Sequence, residues 1–317
     1  LEHGARCGAR VLQGRNTKHA AFDAEGVTVT HTGEDGSEES VRVAALIDAS
    51  GRTGFMAKRI GERRKDPILR NISVHRQYTG IPRSEGRRAG DIRMVTRPDR
   101  GWFWFIPIDA TVISVGAVVP QAVYNASAKR TPEQTLEFFL AETPAAAQLV
   151  ANATPVTPAR FDADYSYLHS RHAGDRFVLA GDAGAFLDPI FSTGVLMAMQ
   201  SGIEAAEVIG EGLRDGDLRA HRFAAYERRV VRRYHHFRRF ATGFYDPAFR
   251  DLFFSRSSRF GIYESVLSVL GGNWRPSWST RIRLEAFFLF VALHRLKTRF
   301  GPRSMMPSDI VPRVEKT

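Results

Sequence analysis

The stretch RFVLAGDAGAFLDPIFSTG, which ends at Gly194, combines residue types that suit a polyhydroxylated, negatively charged ligand. An apolar strand would end at Gly181, because glycine permits the tight turn that follows. The carboxylate of Asp182 then stands where it can accept hydrogen bonds from the paired hydroxyls of a ribose or ribityl chain. Ser192 or Thr193 would cap a helix that begins near Gly194, and the positive end of that helix would stabilise an anion.

A second segment, ALIDASG at Ala45–Gly51, predicts a buried strand that ends in small residues. Such an end brings the backbone close to a ligand at the carboxyl edge of a sheet, and a large side chain at Gly51 would block the approach. The almost continuously apolar run 43–47 is typical of a strand that is covered on both faces. Asp48 could accept hydrogen bonds as an anion, and Arg52 could pair with a phosphate or carboxylate.

The elements that must position these segments follow one another in an informative order. The sequence predicts a short strand at ARVLQ (9–13), a hairpin around GEDG (33–36), strands at 72–81, 90–97, 101–108 and 111–119, a helix capped by Thr131, and a long helix at 194–213. This order predicts an α/β fold with an antiparallel insertion: a discontinuous layered domain (1–71 and 153–225), an antiparallel-sheet substrate domain (72–152) and a helical C-terminal region (226–317).

Composition excludes several classes of protein. The chain has 317 residues and a single cysteine, Cys7, so no internal disulfide can form and we expect a reduced, cytoplasmic protein. The longest apolar run, 286–293, is too short for a transmembrane segment. His235 and His236 are adjacent rather than at metal-ligand spacing, and no cysteine cluster exists, so we predict no metal site.

Much of the net charge of +11 lies in RRVVRRYHHFRR, residues 228–239. One interpretation is a solvated helix face. The other is a docking face for an anionic partner, such as an acidic carrier protein. Nucleic acid is not expected as the partner, because the aromatic residues of this stretch fall at helical spacing and need not form a stacking platform.

Both ligand-site segments resemble the later FAD-contacting motifs of the hydroxybenzoate-hydroxylase-like flavoproteins, which include aromatic hydroxylases, prenyl reductases and flavin-dependent halogenases. The resemblance covers roughly residues 1–225 and implies FAD as the cofactor. In the family the aspartate of the GD pair contacts the ribityl chain. The residues that we expect at FAD on this basis are Asp48, Ala49, Ser50, Gly51, Arg52, Gly181, Asp182, Ala183, Pro189, Gly194 and Val195.

Two further motifs are similar to halogenase signatures. WFWFIP at 102–107 matches W-x-W-x-I-P, and residues 186–194 match F-x-x-P-x-x-S-x-G. On a strand, the two tryptophans and the isoleucine point to one face and would form a rigid apolar wall. The resemblance implies a halide site at Ser192, Thr193 and Gly194. It also implies a substrate passage that is lined by Trp102, Trp104, Ile106, Pro107, Phe186 and Phe191.

The chain departs from the family pattern in two ways. Tryptophan halogenases have a glutamate where this chain has Phe191, which favours a phenol or pyrrole substrate, free or tethered to a carrier protein. The chain also has no G-x-G-x-x-G, and Lys18 and Lys58 are not at the place of the halogenase lysine. We therefore expect an N-terminally truncated chain that is inactive alone, with its catalytic lysine upstream.

The leading hypothesis from the sequence is an FAD-dependent halogenase that uses oxygen, halide and reduced FAD from a partner reductase. A flavin monooxygenase or a prenyl-type reductase on the same fold is the alternative enzyme. A non-catalytic module that binds a carrier protein or a membrane surface through its basic helices is the alternative from another class.

Overall fold

The structure, a computed structural model, describes residues 1–127, 130–163, 165–255 and 259–300. Its strands in these residues are β1 (Asn16–Phe22), β2 (Val27–Thr32), β3 (Glu38–Val43), β4 (Leu46–Asp48), β5 (Arg63–Lys65), β6 (Asn71–Thr79), β7 (Arg93–Thr96), β8 (Trp102–Pro107), β9 (Ile113–Pro120), β10 (Thr154–Pro155), β11 (Arg160–Ala163), β12 (Tyr167–His169), β13 (Ala173–Gly174), β14 (Phe177–Leu179) and β15 (Ala185–Phe186).

The α-helices are α1 (Glu2–Arg6), α2 (Ala57–Ile60), α3 (Gln121–Ala126), α4 (Pro132–Ala141), α5 (Pro144–Val150), α6 (Thr193–Asp215), α7 (Ala224–Phe244), α8 (Pro247–Phe254), α9 (Ile262–Leu270) and α10 (Trp278–Phe300). The chain divides into two units. The first comprises residues 1–64 and 168–236, and the second comprises residues 65–167 with the described residues from 237 onward.

The first unit is layered around β14. Its short sheet has the order β13-β14-β4, and β4 and β14 run parallel. Val178 packs with residues of α6 and α7 on one face, while Phe177 and Leu179 pack with α2 and the β1-β2-β3 meander on the other. A strand that alternates buried side chains to both faces is what a layered α/β domain requires, and the prediction of an α/β fold is confirmed.

The second unit is built on an antiparallel sheet of the order β10-β6-β9-β8-β7, with β11 also paired to β6. Alternate side chains of β6, β8 and β9 form one apolar core with α4, including Val74, Phe103 and Val115, each fully buried. Helix α4 begins as predicted: the Thr131 hydroxyl accepts from the Gln134 N–H, and the Gln134 side chain accepts from the Thr131 N–H. This capping box satisfies donors that a helix start leaves free.

A buried guanidinium fastens the end of α4 to the sheet. Arg97, whose side chain is only 4% exposed, donates to the Phe139 carbonyl and the Thr143 hydroxyl, at 2.7 Å each. Its other N–H groups pair with Asp99 and Glu142 at 2.7 and 3.0 Å. Because a buried charge is costly without partners, this set of bonds fixes where α4 ends against β7.

The structure corrects several expectations about elements. No strand forms at ARVLQ; α1 precedes this stretch and β1 follows it. The run 43–47 is not one strand buried on both faces. It is split between β3 and β4, and Ile47 is 38% exposed. Helices α8, α9 and α10 fall in the same compact unit as the large sheet, and the predicted division into three parts stays a prediction. The end of the predicted helical region, 301–317, lies outside the described residues.

Candidate functional site

The two segments singled out in the sequence meet at one edge of the small sheet of the first unit. Strands β4 and β14 are parallel neighbours, with Ile47 opposite Val178, so their carboxyl ends lie side by side. The Ala180 N–H donates to the Asp48 carbonyl at 2.9 Å and extends this pairing beyond the strands. The turns that follow, 49–53 and 181–183, are therefore adjacent, as the sequence predicts for a site at this edge.

Gly181 makes the second turn possible. Its φ is +58°, and a Cβ at this position would lie 3.1 Å from Cβ of Ala198 on α6. Any other residue would combine backbone strain with crowding against that helix. The Gly181 N–H donates to the Ser201 hydroxyl at 2.8 Å, and this hydroxyl donates to the Ala198 carbonyl at 3.0 Å. The bonds fix the turn to α6.

Asp48 organises the first turn from within. It is only 3% exposed, and its carboxylate accepts from the N–H groups of Ser50 and Met56 at 2.9 and 2.6 Å. The Ser50 hydroxyl accepts from the Phe55 N–H at 2.7 Å. These side chains shape the loop that carries Gly51, at φ +66°. A direct role for Asp48 at a cofactor stays a prediction.

Asp182 is half-buried at the start of the 181–183 turn. Burial raises the pKa of its carboxyl, and the positive charge of Arg52 partly opposes that effect. Arg52 lies in the neighbouring turn, and its guanidinium is exposed. The carboxylate thus lies at the sheet edge near the positive charge of Arg52, where a ligand with hydroxyl donors could hydrogen-bond to it.

The loop after β15 delivers the chain to the start of α6. The Asp188 carboxylate accepts from the Ile190 N–H at 3.1 Å, and Ser192 takes the left-handed conformation with φ +52°. Thr193, the first helical residue, is buried. The ring of Phe186 packs against Gly194. A Cβ at Gly194 would lie 3.4 Å from Cε2 of this ring.

The first turn of α6 has no side-chain cap among the described residues. Neither Ser192 nor Thr193 accepts a bond from the N–H groups that follow, so the predicted cap is wrong. No acidic residue stands in this first turn either. Helix N-termini of this kind keep N–H donors and positive potential available for an anion. A 23-residue helix that begins uncapped beside the Gly181 turn suits an anion better than a capped one would.

The W-x-W-x-I-P strand, β8, lies in the second unit and has the predicted alternation. Phe103 and Phe105 point into the core, whereas Trp102 and Trp104 lie on the opposite face with ring centroids 5.9 Å apart. The Trp102 indole N–H donates to the Tyr245 hydroxyl at 3.0 Å. Trp102 is only 2% exposed and packs edge-on against Phe244 of α7, so it belongs to the packing between the sheet and a helix. Trp104 is half-buried, and its indole is the more accessible of the two.

The predicted site residues fall into both units. The FAD-side and halide-side residues all belong to the first unit: Asp48, Ala49, Ser50, Gly51, Arg52, Gly181, Asp182, Ala183, Pro189, Ser192, Thr193, Gly194 and Val195. Of the passage residues, Phe186 and Phe191 belong to the first unit; Trp102, Trp104, Ile106 and Pro107 belong to the second. The assembly of these six into one passage stays a prediction.

The basic stretch 228–239 is mostly engaged within the fold. Arg229 and Arg233 pair with Glu204, Arg238 pairs with Asp66, and Arg239 pairs with Glu285. Arg228 and Arg232 are exposed. The stretch therefore combines cations that are packed in ion pairs with one exposed helix face, and fewer cations are left for an anionic partner than the charge run suggests.

Within the part of the chain that the structure describes, no three His, Cys, Asp or Glu residues come together in a way that could hold a metal ion. No helix in those same residues combines the length and the apolar character needed to cross a membrane.

Sequence reasoning missed three residues that shape the candidate site and its surroundings. Ser201 anchors the Gly181 turn, yet a serine in the middle of a helix carries no local signal. Gly116 accommodates Trp104: a Cβ there would lie 2.2 Å from the indole. His75 lies beside the same indole, with ring centroids 5.8 Å apart. Their roles depend on strand register, which the sequence alone does not provide.

Comparison with known proteins identifies the family of the chain. The family model described as tryptophan halogenase matches residues 1–260. A 1H-pyrrole-2-carbonyl-[peptidyl-carrier protein] chlorinase of Pseudomonas fluorescens is 31% identical over 237 residues, which are 72% of this chain and 51% of the relative. The corresponding brominase of Pseudoalteromonas luteoviolacea is 30% identical over 220 residues, 68% of this chain and 53% of the relative.

Among solved structures, a triple mutant of the flavin-dependent brominase Bmp2 superposes with a TM-score of 0.76 at 26% identity. The match covers 90% of this chain and 70% of that one. The chain therefore belongs to the tryptophan halogenase family, whose members are FAD-dependent enzymes. It spans about half the length of the two carrier-protein halogenases.

Proposed function

We propose that this protein is an FAD-dependent halogenase of an electron-rich aromatic ring, a phenol or a pyrrole. The observation that carries the proposal is the geometry of the first unit: two glycine turns lie at one sheet edge, beside the uncapped start of α6. The family membership of the chain supports the same conclusion.

The residues present fit FAD in kind. A Cβ at Gly51 would meet no atom within 4 Å, so a flat ring system could approach the backbone of the first turn at this residue, while Gly181 lets the second turn pack closely on α6. Asp182, half-buried, would accept from the ribityl hydroxyls. The chemistry that bound FAD supplies is the reductive activation of dioxygen, which oxidises halide to hypohalous acid.

The remaining contributions come from this chain. The N–H groups of Thr193 and Gly194 would hold chloride or bromide at the positive end of α6. Phe186, packed on Gly194, would exclude water from one side of that position. Trp104, half-buried and held against the buried Trp102, would present a rigid face to an aromatic ring.

The substrate is either free or tethered. Both carrier-protein halogenases compared above act on a pyrrole that is attached to a peptidyl carrier protein. Phe191 stands directly before Ser192, and its apolar ring cannot orient an amine, which favours a phenol or pyrrole over tryptophan. We further propose that a flavin reductase supplies reduced FAD and that the protein works in the cytoplasm.

The test is an incubation of the complete gene product with reduced FAD, oxygen and a panel of phenols and pyrroles, with and without bromide. Brominated products that require both flavin and bromide are expected. Hydroxylated products that form equally without halide would overturn the proposal in favour of a monooxygenase. Reduction of a prenyl double bond without oxygen would favour a prenyl-type reductase, and binding without any turnover would favour a non-catalytic module.

A further inference from the structure

The large sheet of the second unit has two chemically different faces. One face packs on α4 mainly through apolar side chains, with the buried Arg97 at the end of that helix. The opposite face, here called the tryptophan face, carries Trp102, Trp104 and Ile106 of β8, Ser114, Gly116 and Val118 of β9, and Ser73, His75 and Gln77 of β6. Aromatic and polar groups are thus concentrated on the face that has no part in the α4 core.

Trp104 is rigidly held on this face. It lies directly opposite Gly116 in the β8–β9 register, and its indole extends over that glycine. The indole N–H donates to the Ser114 hydroxyl at 3.1 Å. Because both the ring plane and its polar edge are fixed, Trp104 offers a pre-organised surface on which a second aromatic ring can stack.

His75 occupies the next position along the same row. Strand β9 lies between β8 and β6, so Gly116 of β9 is paired with Trp104 on one side and with His75 on the other. The His75 ring is tilted by 39° to the Trp104 indole, with centroids 5.8 Å apart. Its side chain is 28% exposed, so a small molecule can reach it.

A carboxylate on the neighbouring strand orients this imidazole. Asp162 of β11 lies diagonally across from His75, and its Oδ2 is 3.5 Å from Nε2 of the histidine. A carboxylate at one ring nitrogen favours the N–H there and leaves Nδ1 as the acceptor. Within the described residues, no side chain or backbone group is hydrogen-bonded to that Nδ1.

We propose that His75, oriented by Asp162, is the base that accepts the proton of an aromatic O–H or N–H while the substrate ring stacks on Trp104. This inference rests on the proposed function and adds to it a residue that neither the sequence motifs nor the compared proteins indicate. The ligand class is an aromatic ring that bears an ionisable hydroxyl or ring N–H.

The chemistry balances as follows. The O–H bond of the phenol breaks as the proton passes to Nδ1 of His75. The electron pair stays on the oxygen, which donates electron density into the ring. The ring carbon then attacks the halogen of hypohalous acid, hydroxide leaves, and the ring proton that is lost combines with it as water. The proton on His75 returns to solvent. A positioned base of this kind contributes roughly 10²–10⁴ in rate.

The experiment uses the complete protein and a matched pair of substrates, a phenol and its methyl ether. For His75→Gln we expect kcat on the phenol to fall roughly 100-fold, with little change for the ether, which has no proton to give. Asp162→Asn should lower kcat on the phenol less, with KM nearly unchanged. His294→Gln is the control, because His294 forms a similar pair with Asp251, at 3.0 Å, on the helices of the same unit.

Two measurements separate failure of this inference from failure of the proposed function. Hypohalous acid, trapped in the absence of aromatic substrate, should form equally in wild type and His75→Gln. Tryptophan fluorescence of the flavin-free protein should report phenol binding that His75→Gln weakens and Trp104→Phe abolishes. Equal losses on phenol and ether, or phenol binding that is unchanged in His75→Gln, would overturn the inference even if no halogenated product forms at all.

Discussion

Gly116 is the residue on which the position of Trp104 depends. A methyl group there would lie 2.2 Å from the indole, far inside any tolerated contact, so the ring would have to move. We expect Gly116→Ala to destabilise the fold by about 1–3 kcal/mol, the usual cost of overpacking. It should also change the tryptophan emission. Denaturant unfolding and fluorescence spectra check both effects.

Gly90→Ala is the matched control for that substitution. A Cβ at Gly90 would meet no atom within 4 Å, and the residue is not in the left-handed region. Its stability and emission should stay close to those of the parent protein. Equal behaviour of the two variants would mean that Trp104 does not lie over Gly116.

Asp182 makes a prediction about stability and pH. Burial raises the pKa of this carboxyl in the folded state above its unfolded value, so folding stability is lost as pH rises through the two pKa values. Asp182→Asn removes that loss. The variant should therefore gain stability relative to the parent as pH increases from about 4, near the ordinary pKa, to 7.5. Urea unfolding at several pH values measures the difference.

For Asp109 we expect a pH dependence of unfolding free energy that is opposite in sign to that of Asp182. Hydrogen bonds from the N–H groups of Thr111 and Val112 lower the pKa of the Asp109 carboxyl. Its contribution is present above the unfolded pKa and is lost as pH falls, so Asp109→Asn should lose stability relative to the parent as pH rises. A parallel pH dependence of the two variants would contradict the burial of Asp182.

At the scale of elements, several cations of the basic stretch of α7 form ion pairs that stabilise the fold. Arg233 is 2% exposed and pairs with buried Glu204. Replacing Arg233 by leucine leaves Glu204 with Arg229 alone, at 3.3 Å. We expect a loss of about 3–5 kcal/mol in the free energy of unfolding, since a buried charge loses its main partner.

The adjacent residue is the natural comparison. Arg232 is exposed, so Arg232→Leu should change stability by less than about 0.5 kcal/mol. Thermal and urea unfolding of both variants tests this. Similar small effects for Arg232 and Arg233 would mean that both arginines lie on a solvated helix face and that Arg233 does not stabilise the fold.

Elements with local signals were predictable from the sequence. The capping box of α4 depends on Thr131 and Gln134, three residues apart, and it forms as expected. The cap of α6 was not predictable in this way: the backbone at Ser192 takes a left-handed conformation, and its side chain makes no capping bond. Ile47 looked like a buried strand residue, but its exposure depends on which strands pair with β4, a non-local property.

At the scale of the whole molecule, the sequence predicted the class of fold. The ligand site that it predicted at the carboxyl end of the strand in 45–51 stays a prediction. The sequence did not predict that α8, α9 and α10 belong with the large sheet. That association depends on contacts between residues far apart in the chain, such as the hydrogen bond from Trp102 to Tyr245. Apolar periodicity indicates a buried helix face but not the element that covers it.

The central claim is that the backbone between Gly181 and Gly194 holds a flavin beside an anion at the start of α6. A crystal structure of the complete protein with FAD and bromide, with data collected at the bromine absorption edge, tests it most directly. We predict flavin density against the Gly181–Asp182 turn and an anomalous bromide peak within hydrogen-bonding distance of the Thr193 or Gly194 N–H. Flavin bound elsewhere, or a helix start without bromide, would contradict the account.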